Sequence, residues 1–222
     1  MEARSGAALQ PQLTVHVVDD DSSVRSALSR LFRSVGHAVR TFDSALAYLD
    51  EASSDVPGCV VLDIRMPGMD GLTLQERMFE RGLVVPIVFV SAHGDISASV
   101  QAMKRGAVDF LEKPFDEDEL LAAVDRAFEL DAELRAQKRS RFQTQRGLER
   151  LTSREYEVMT YVIAGRMNKV IARELGVSEK TVKVHRGRVM SKMEARSLAD
   201  LVRMMERAGI VAAKPKDSRG VV

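Results

Sequence analysis

The sequence predicts an α/β domain built on a parallel five-stranded sheet, followed by a separate, smaller all-α domain of four helices. Short β-branched runs alternate with stretches of helical period in the first part, whereas strand signals are absent from Leu151 onward. Residues 1–149 carry 17 Lys and Arg against 24 Asp and Glu, and residues 150–222 carry 16 against 8. We therefore expect the two domains to have different partners, with a polyanion as the partner of the second.

The strands are expected at five β-branched runs, which occupy residues 14–18, 38–41, 58–62, 86–91 and 108–111. Helical-period stretches separate them, and a repeated strand–helix pattern implies a parallel sheet covered by helices on both faces. The fifth helix is predicted to continue past Phe128 through Leu134. The polar residues that follow, up to Gly147, have the composition of a linker.

The second domain begins with a capping box, in which Thr152 precedes Glu155 by three residues. Asn168 is the predicted cap of the next helix, and residues 176–178 form a short glycine-containing turn before the third helix. Such a turn between two helices is the signal of a helix-turn-helix. Residues 211–222 are expected to form a disordered tail.

The single cysteine, Cys59, lies within an apolar strand, which favours a buried, inert thiol and excludes a disulfide framework. The N-terminus lacks the apolar segment of a signal peptide, and no run approaches the roughly 18 apolar residues of a membrane helix. These features predict a cytoplasmic protein without a membrane partner.

Polar side chains follow four of the predicted strands. Asp19 and Asp20 come after the first strand, Asp63 ends the third, Ser91 ends the fourth and Lys113 follows the fifth. The carboxyl ends of parallel strands share one edge of the sheet, where ligands bind. The sequence therefore predicts one site that contains all five side chains.

The predicted chemistry of this site is Mg²⁺-assisted transfer of a phosphoryl group onto Asp63. Neighbouring carboxylates repel unless a proton or a cation joins them, and Asp19, Asp20 and Asp63 offer the hard oxygen ligands that Mg²⁺ prefers. The metal would neutralise the incoming phosphoryl group, Lys113 would hold a second phosphoryl oxygen, and Ser91 would donate a hydrogen bond to a third.

A simpler interpretation of an acidic residue at a strand end is a solvated loop residue or a helix cap. This interpretation is favoured for Asp21 and Asp70, which stand where helices begin, and for His93, which would be a loop residue without a ligand role. It does not account for Asp63, Asp20 and Lys113 together, because one site explains all three.

Residues 13–125 resemble the receiver domain of bacterial two-component response regulators. The matching motifs are Val17-Val18-Asp19-Asp20, Leu62-Asp63-Ile64-Arg65-Met66-Pro67-Gly68-Met69-Asp70-Gly71, Ser91-Ala92 and Lys113-Pro114-Phe115. The resemblance implies a flavodoxin-like (βα)₅ fold with strand order 2-1-3-4-5, and a sensor histidine kinase as the phosphate donor to Asp63. It further implies that Asp19, Asp20, Asp63 and the backbone carbonyl of Arg65 bind Mg²⁺.

The same resemblance implies that Ser91 and Phe110 are a switch pair, in which Phe110 stands where many members carry Tyr. The Ser91 hydroxyl would move toward the phosphoryl oxygen and leave space for the Phe110 ring. A plain core aromatic is the alternative interpretation of Phe110.

The third helix of the second domain, residues 179–193, combines an apolar stripe with a basic face. Val182, Val189 and Met193 form the stripe, and the opposite side carries Lys180, Lys183, Val184, Gly187, Arg188 and Ser191. Such a helix suits the DNA major groove, with phosphate contacts from Lys169, Thr181 and Arg186. An ordinary solvated basic face is the alternative.

Residues 151–210 resemble the LuxR/FixJ-type DNA-binding domain. The motifs that carry the resemblance are Leu151-Thr152, Arg154-Glu155, Asn168-Lys169, Ile171-Ala172, Thr181-Val182-Lys183 and Lys192-Met193. The resemblance places base contacts at Lys183, Val184 and Gly187. Gly187 has no side chain, so Arg188 or DNA shape would supply specificity there, and His185 is expected to support packing rather than to contact a base.

These observations predict a receiver domain over 13–128, an extended helix and linker over 129–149, a LuxR-type DNA-binding domain over 150–210 and a tail over 211–222. The predicted function is a transcriptional regulator that phosphorylation activates. Its receivers would pair through residues 95–125, and it would bind double-stranded DNA and RNA polymerase. Enzymatic activity is expected only as self-phosphorylation and slow autodephosphorylation.

Two other functions were compatible with parts of the sequence. The first is a constitutive DNA-binding regulator whose receiver is vestigial, against which the intact acidic set argues. The second is an aspartyl-phosphate phosphohydrolase. Such enzymes usually need a second acid/base Asp shortly after the nucleophile, whereas here Arg65 stands two residues after Asp63.

Overall fold

The computed structural model describes residues 13–92 and 96–213. The chain divides into two compact units between Arg135 and Ala136. The predictions made for His93 and for residues 214–222 lie outside the described residues. Within the described ranges, no helix is long and apolar enough to cross a bilayer.

The first unit contains a five-stranded parallel sheet in the predicted order β2-β1-β3-β4-β5. The strands are β1 (Thr14–Val18), β2 (Ala38–Phe42), β3 (Gly58–Asp63), β4 (Ile87–Ser91) and β5 (Asp109–Glu112). The helices between and after them are α1 (Ser22–Ser34), α2 (Ala45–Glu51), α3 (Gly71–Glu80), α4 (Ile96–Lys104) and α5 (Glu117–Glu149). The α/β fold class and the strand order are confirmed.

Both faces of the sheet are covered, because every residue of β1, β3 and β4 is buried. Val15, Val17 and Val61 pack on one face in a cluster with side chains of α1 and α5. Val60 and Leu62 point to the other face, where α2, α3 and α4 pack. Alternation along each strand therefore divides the core into two layers. The Cys59 thiol is fully buried, and burial raises its pKa, as expected for an inert cysteine.

Helix α5 is longer than predicted, since residues 136–149 are helical where we expected a linker. Those residues contain no proline, and many of them, such as Gln, Arg and Glu, favour helix. The α5 segment in the first unit is anchored by Asp131, whose Oδ2 accepts hydrogen bonds from Gly58 N at 3.0 Å and Arg135 Nε at 2.7 Å. Arg135 also donates to the carbonyl oxygens of Asp55 and Val56.

The second unit consists of the C-terminal part of α5 and four further helices among its described residues. These are α6 (Ser153–Ile163), α7 (Asn168–Leu175), α8 (Glu179–Lys192) and α9 (Leu198–Arg207). Gly176 ends α7 with a φ of 66°, a left-handed conformation that allows the short turn into α8. One apolar cluster joins α6, α7, α8 and α9, so the helix-turn-helix has a core of its own.

The predicted helix starts are confirmed at Thr152 and Ser178 but not at Asn168. Thr152 and Glu155 form the complete capping box, and the Ser178 hydroxyl accepts from Thr181 N. Met167 is the cap of α7, without a side-chain bond, and Asn168 is already helical. The Asn168 side chain instead accepts a hydrogen bond from Arg186, so an interaction between helices outweighs the local capping preference.

Candidate functional site

Three charged side chains converge at the carboxyl edge of the sheet in the first unit. Lys113 Nζ lies 2.7 Å from Asp19 Oδ2 and 2.6 Å from Asp63 Oδ1. Asp19 and Asp63 are only 1% and 5% exposed. The convergence follows from the topology, because β1, β3 and the residues after β5 all end at this edge. One ammonium therefore stands between two buried carboxylates.

The loop after β3 holds Asp63 in place. Asp63 Oδ2 accepts a hydrogen bond from Arg65 N at 2.7 Å, and Gly71 N donates to Ile64 O at 2.8 Å. A Cβ atom on residue 71 would lie 2.4 Å from Asp63 O. Glycine is thus required at position 71 for the loop to close against the end of the strand, and the Asp70-Gly71 dipeptide is the sequence signal of this requirement.

The electrostatics of these three groups are unbalanced, because two carboxylates share one ammonium. Burial raises the pKa of Asp63, and the charge of Asp19 raises it further, although Lys113 and Arg65 N oppose the change. Burial alone would lower the pKa of Lys113, but hydrogen bonds to Asp19 and Asp63 outweigh it, so that the pKa of Lys113 is raised. The site therefore carries an excess of negative charge that a further cation would relieve.

The neighbouring acidic residues have separate roles. Asp21 caps α1 by accepting from Ser23 N, and this hydrogen bond lowers the pKa of Asp21. Asp70 caps α3 by accepting from Thr73 N at 2.7 Å. The interpretation of both residues as helix caps is thus supported by their geometry.

Asp20 is exposed beside the buried Asp19. No cluster of three or more His, Cys, Asp or Glu side chains in 13–92 and 96–213 is arranged to hold a metal ion. Of the three predicted carboxylates, Asp19 and Asp63 converge on Lys113, and Asp20 is exposed to solvent beside Asp19. Two carboxylates still suit Mg²⁺, because this ion usually keeps several waters and needs few protein ligands.

Ser91 and Phe110 lie near each other on one face of the sheet. Ser91 is buried at the end of β4, and its carbonyl accepts from Lys113 N at 2.7 Å. Phe110 is half-buried and pairs in register with Phe89, two residues before Ser91. Since residues two apart on a strand point the same way, Ser91, Phe89 and Phe110 share a face.

Arg25 is a residue of this site that the sequence reasoning missed. Its Nη1 donates to the carbonyl oxygen of Asp19 at 2.7 Å, and Asp21 N donates to Asp19 Oδ1 at 2.8 Å. Both contacts hold the backbone turn that presents the Asp19 carboxylate. A basic residue within the first turn of the helix that follows an acidic strand end was the available signal.

In the second unit, α8 presents a basic surface. Val182 and Val189 are buried, as predicted. The residues of α8 that were expected to contact DNA and that are exposed are Lys180, Lys183, Val184, Gly187 and Arg188. Hence the basic face of this helix is open to a ligand within the described part of the unit.

The three residues predicted to contact DNA phosphate differ in their exposure to solvent. Lys169 is exposed, whereas Thr181 and Arg186 are half-buried. Thr181 shares a hydrogen bond with Ser178 at 2.9 Å, and Arg186 donates to Asn168 at 3.2 Å. Thr181 and Arg186 are thereby held at the N-terminal ends of α8 and α7, where backbone N–H groups favour anions.

Two further polar residues support the fold of this unit. His185 is half-buried, and its Nδ1 is buried without a hydrogen-bond partner among the described residues, consistent with packing. Lys192 Nζ donates to Glu155 Oε2 at 2.6 Å, and this hydrogen bond is the main cause that lowers the pKa of Glu155 to about 2. The sequence identified Glu155 only as part of a capping box.

Two family models match this chain. Residues 15–125 match the response regulator receiver domain, and residues 149–205 match the bacterial regulatory proteins of the luxR family. The two matches fall on the two units described above.

Similar proteins cover nearly the whole chain. Nodulation protein W of Bradyrhizobium diazoefficiens is 50% identical over 198 residues, which cover 89% of this chain and 87% of that protein. The response regulator protein TodT of Pseudomonas putida is 45% identical over 193 residues, covering 87% and 85%. Among solved structures, the response regulator StyR has a TM-score of 0.80 at 48% identity and covers 88% of this chain and 99% of its own. Full-length FixJ of B. japonicum has a TM-score of 0.55 at 42% identity, with coverages of 90% and 98%.

Proposed function

Since this chain belongs to the two-component response regulators that carry a receiver domain and a LuxR-type DNA-binding domain, we propose that phosphorylation of Asp63 controls its affinity for DNA. The chain is a DNA-binding transcriptional regulator, and its family implies a histidine kinase and DNA as partners. The family consists of regulators rather than of classical enzymes, which argues against the phosphohydrolase alternative.

Receiver domains generally bind Mg²⁺ for phosphorylation. In this chain Asp19, Asp20, Asp63 and the carbonyl of Arg65 would hold the ion. When bound, it would supply positive charge for the phosphoryl oxygens. The excess of carboxylate over ammonium around Lys113 supports this assignment.

The reaction is a displacement at phosphorus. An Asp63 oxygen forms the new O–P bond while the N–P bond of the phosphohistidine breaks, and the histidine nitrogen keeps the electron pair. Lys113, already in contact with Asp63, would pair with a phosphoryl oxygen. Ser91 would donate a hydrogen bond to another oxygen, and such preorganised groups act by stabilising the charge that develops in transfer.

Phosphorylation would change the conformation of the receiver through movements of the Ser91 and Phe110 side chains. A movement of the Ser91 hydroxyl toward the phosphate would let the half-buried Phe110 ring turn inward, beside α4. Helix α4 exposes three apolar side chains at helical spacing, Ile96 at 80%, Val100 at 46% and Met103 at 45%. This stripe supports pairing of two receivers through residues 95–125 once the chain is phosphorylated.

A receiver dimer would bring two copies of α8 to two DNA half-sites about one helical turn apart. Lys183, Val184 and Arg188 would face base edges, and Lys169 would contact phosphate. RNA polymerase is the further partner we propose for the DNA-bound dimer, and the cytoplasm is the proposed compartment.

The single observation that carries this proposal is the contact of Lys113 with both Asp19 and Asp63. It is tested by incubating full-length protein with acetyl phosphate and Mg²⁺ and measuring acid-labile phosphate by intact mass. We expect one phosphoryl group on the unaltered chain and none on Asp63→Asn or in the presence of EDTA. Asp70→Asn is the matched control, because Asn also caps helices.

If Asp63→Asn acquires the same amount of acid-labile phosphate as the unaltered chain, the acceptor is a different residue. A loss of phosphate in Asp70→Asn as large as in Asp63→Asn would mean that the site depends on the loop rather than on the Asp63 carboxylate.

A further inference from the structure

A second concentration of positive charge lies in the second unit, away from the exposed residues of α8 assigned to DNA. It surrounds a cleft of about 610 Å³ between the C-terminal part of α5, the end of α8 and α9. The cations that line this cleft are Arg146, Arg150, Lys192, Arg196, Arg203 and Arg207. We refer to it below as the arginine cleft.

The charges in the arginine cleft are only partly neutralised. Lys192 is paired with Glu155, and Arg150 lies 3.9 Å from Glu194. The other four arginines have no carboxylate within 4.0 Å among the described residues. Asp200, the second acid of the lining, accepts a hydrogen bond from the backbone N of Arg196. Several guanidinium groups thus face one cleft without matching anions.

The composition of the cleft indicates the chemistry of its ligand. Guanidinium groups present planar, paired donors that match phosphate oxygens, and they do not lose their charge. The volume lies within the range of small-ligand sites. Ser140 and Gln143 add neutral hydrogen-bonding groups to the lining. A compact anion with several phosphate groups fits this set better than a monoanion would.

The position of the cleft separates it from the predicted base contacts. Lys192 is the last residue of α8, nine residues after Lys183 and four after Arg188, which is about 13 Å and about 6 Å along the helix axis. The arginine cleft therefore lies at the C-terminal end of α8, beyond the predicted base contacts.

We propose that the arginine cleft binds a small soluble polyphosphate, such as a nucleoside polyphosphate or an inorganic oligophosphate. Arg203 and Arg207, one turn apart on α9, and Arg146 on α5 would hold its phosphate groups. Phe142 supports this arrangement, because the guanidinium of Arg146 lies 5.8 Å from the centre of its ring. The ligand would then bind a different surface from DNA.

The test is calorimetric titration of full-length protein with sodium tripolyphosphate in a buffer that contains EDTA and little salt. We expect the double variant Arg203→Gln/Arg207→Gln to bind at least tenfold more weakly than the unaltered chain. Both arginines are exposed, so the fold should tolerate the change, which the melting temperature verifies. Arg141→Gln, an exposed arginine of α5 outside the lining, should leave Kd within twofold.

A second double variant, Lys183→Gln/Arg188→Gln, removes the same charge from the DNA-facing side of α8. Tripolyphosphate binding should be retained in that protein. The proposal is overturned if the unaltered chain does not bind millimolar tripolyphosphate. It is also overturned if Lys183→Gln/Arg188→Gln, rather than the cleft variant, abolishes binding.

DNA is the other source of phosphate, and the salt dependence of DNA binding distinguishes it. Each lost phosphate contact lowers the slope of log Kd against log salt by about 0.9. We expect Lys169→Gln, which removes an exposed lysine at a predicted phosphate contact, to lower that slope, and Arg203→Gln/Arg207→Gln to leave it unchanged. An equal decrease in the cleft variant would assign the cleft to the DNA backbone and contradict a small-ligand site.

Discussion

The two units each contain a buried carboxylate that accepts a hydrogen bond from a lysine, but the balance of charge differs. In the second unit Glu155 has Lys192 and the backbone N of Thr152 as partners, and the Lys192 hydrogen bond above all lowers the pKa of Glu155 to about 2. In the first unit Lys113 serves both Asp19 and Asp63, and the pKa of Asp63 is raised.

This difference is the one we expect between a structural pair and the proposed phosphorylation site. A carboxylate whose charge is balanced by one lysine and by hydrogen bonds stabilises the fold and does not attract a further cation. A carboxylate that is buried, crowded by another and incompletely neutralised attracts a cation and remains a potential nucleophile. A contact between one lysine and one carboxylate therefore does not by itself indicate a functional site. The proposed site in the first unit differs in that two carboxylates, Asp19 and Asp63, share the single ammonium of Lys113.

The largest expected difference between the two lysines is in phosphoryl uptake. Lys113→Gln should slow phosphorylation by acetyl phosphate by at least about a hundredfold, because a preorganised charge is lost from the transfer site. Lys192→Gln removes the same charge from the other unit and should leave the rate within twofold. Both rates are measured by intact mass over time.

If Lys113→Gln is phosphorylated as fast as the unaltered chain, the ammonium does not take part in transfer. A loss confined to Lys192→Gln would reverse the assignment of the two lysines.

The second effect is on the stability of the second unit. Glu155→Gln should lower its free energy of unfolding by about 2 kcal/mol, because the capping box and the buried bond to Lys192 are both weakened. Hydrogen exchange of α6 and α8, followed by mass spectrometry, measures the change. Glu157→Gln, which alters an exposed residue of the same helix, is the control. An equal decrease in the free energy of unfolding in both variants would show that the contact of Glu155 with Lys192 makes no particular contribution to stability.

In the first unit, by contrast, we expect removal of a buried carboxylate to increase stability. Asp63→Asn should raise its free energy of unfolding by about 1 kcal/mol, since Lys113 then faces a single carboxylate and the repulsion from Asp19 disappears. Hydrogen exchange of the β3 and β4 peptides provides the measurement. A clear decrease in stability would mean that Asp63 is a satisfied structural carboxylate like Glu155.

The smallest effect is the pH dependence of the second unit. The folded pKa of Glu155 lies below its ordinary value of 4.5, so its stabilising contribution is complete above about pH 4.5 and is lost as the pH falls toward 2. We expect the difference in stability between the unaltered chain and Glu155→Gln to shrink by about 1 kcal/mol over that window. A difference that stays constant from pH 5 to pH 2.5 would contradict the lowered pKa.

The sequence predicted the convergence of Asp19, Asp63 and Lys113 in the first unit, but it predicted neither the contact of Arg25 with Asp19 nor the pair in the second unit. Asp19, Asp63 and Lys113 were predictable because each stands at a strand end, and parallel strands bring those ends to one edge. Lys192 lies 37 residues after Glu155, and no periodicity links them. Their contact depends on how α6 and α8 pack, which local patterns do not specify.

The difference between local patterns and contacts between distant residues also explains why the start of α7 and the end of α5 were predicted wrongly. Asn168 has a strong capping propensity, yet its side chain is used by Arg186 from another helix. Residues 136–149 are polar and carry no clear stripe, so they were assigned to a linker, although they contain no proline and a single glycine, Gly147. Local propensity was informative where no distant partner competed for the same group.

We propose above all that phosphorylation of Asp63 controls the affinity of the basic C-terminal domain for DNA. The most direct measurement is the Kd for a duplex selected from random DNA, by fluorescence anisotropy at fixed salt, before and after treatment with acetyl phosphate and Mg²⁺. We predict that treatment tightens binding of the unaltered chain at least tenfold, about 1.4 kcal/mol, and leaves Asp63→Asn unchanged. Equal affinity of the phosphorylated and unphosphorylated chain would contradict the account and favour a constitutive regulator.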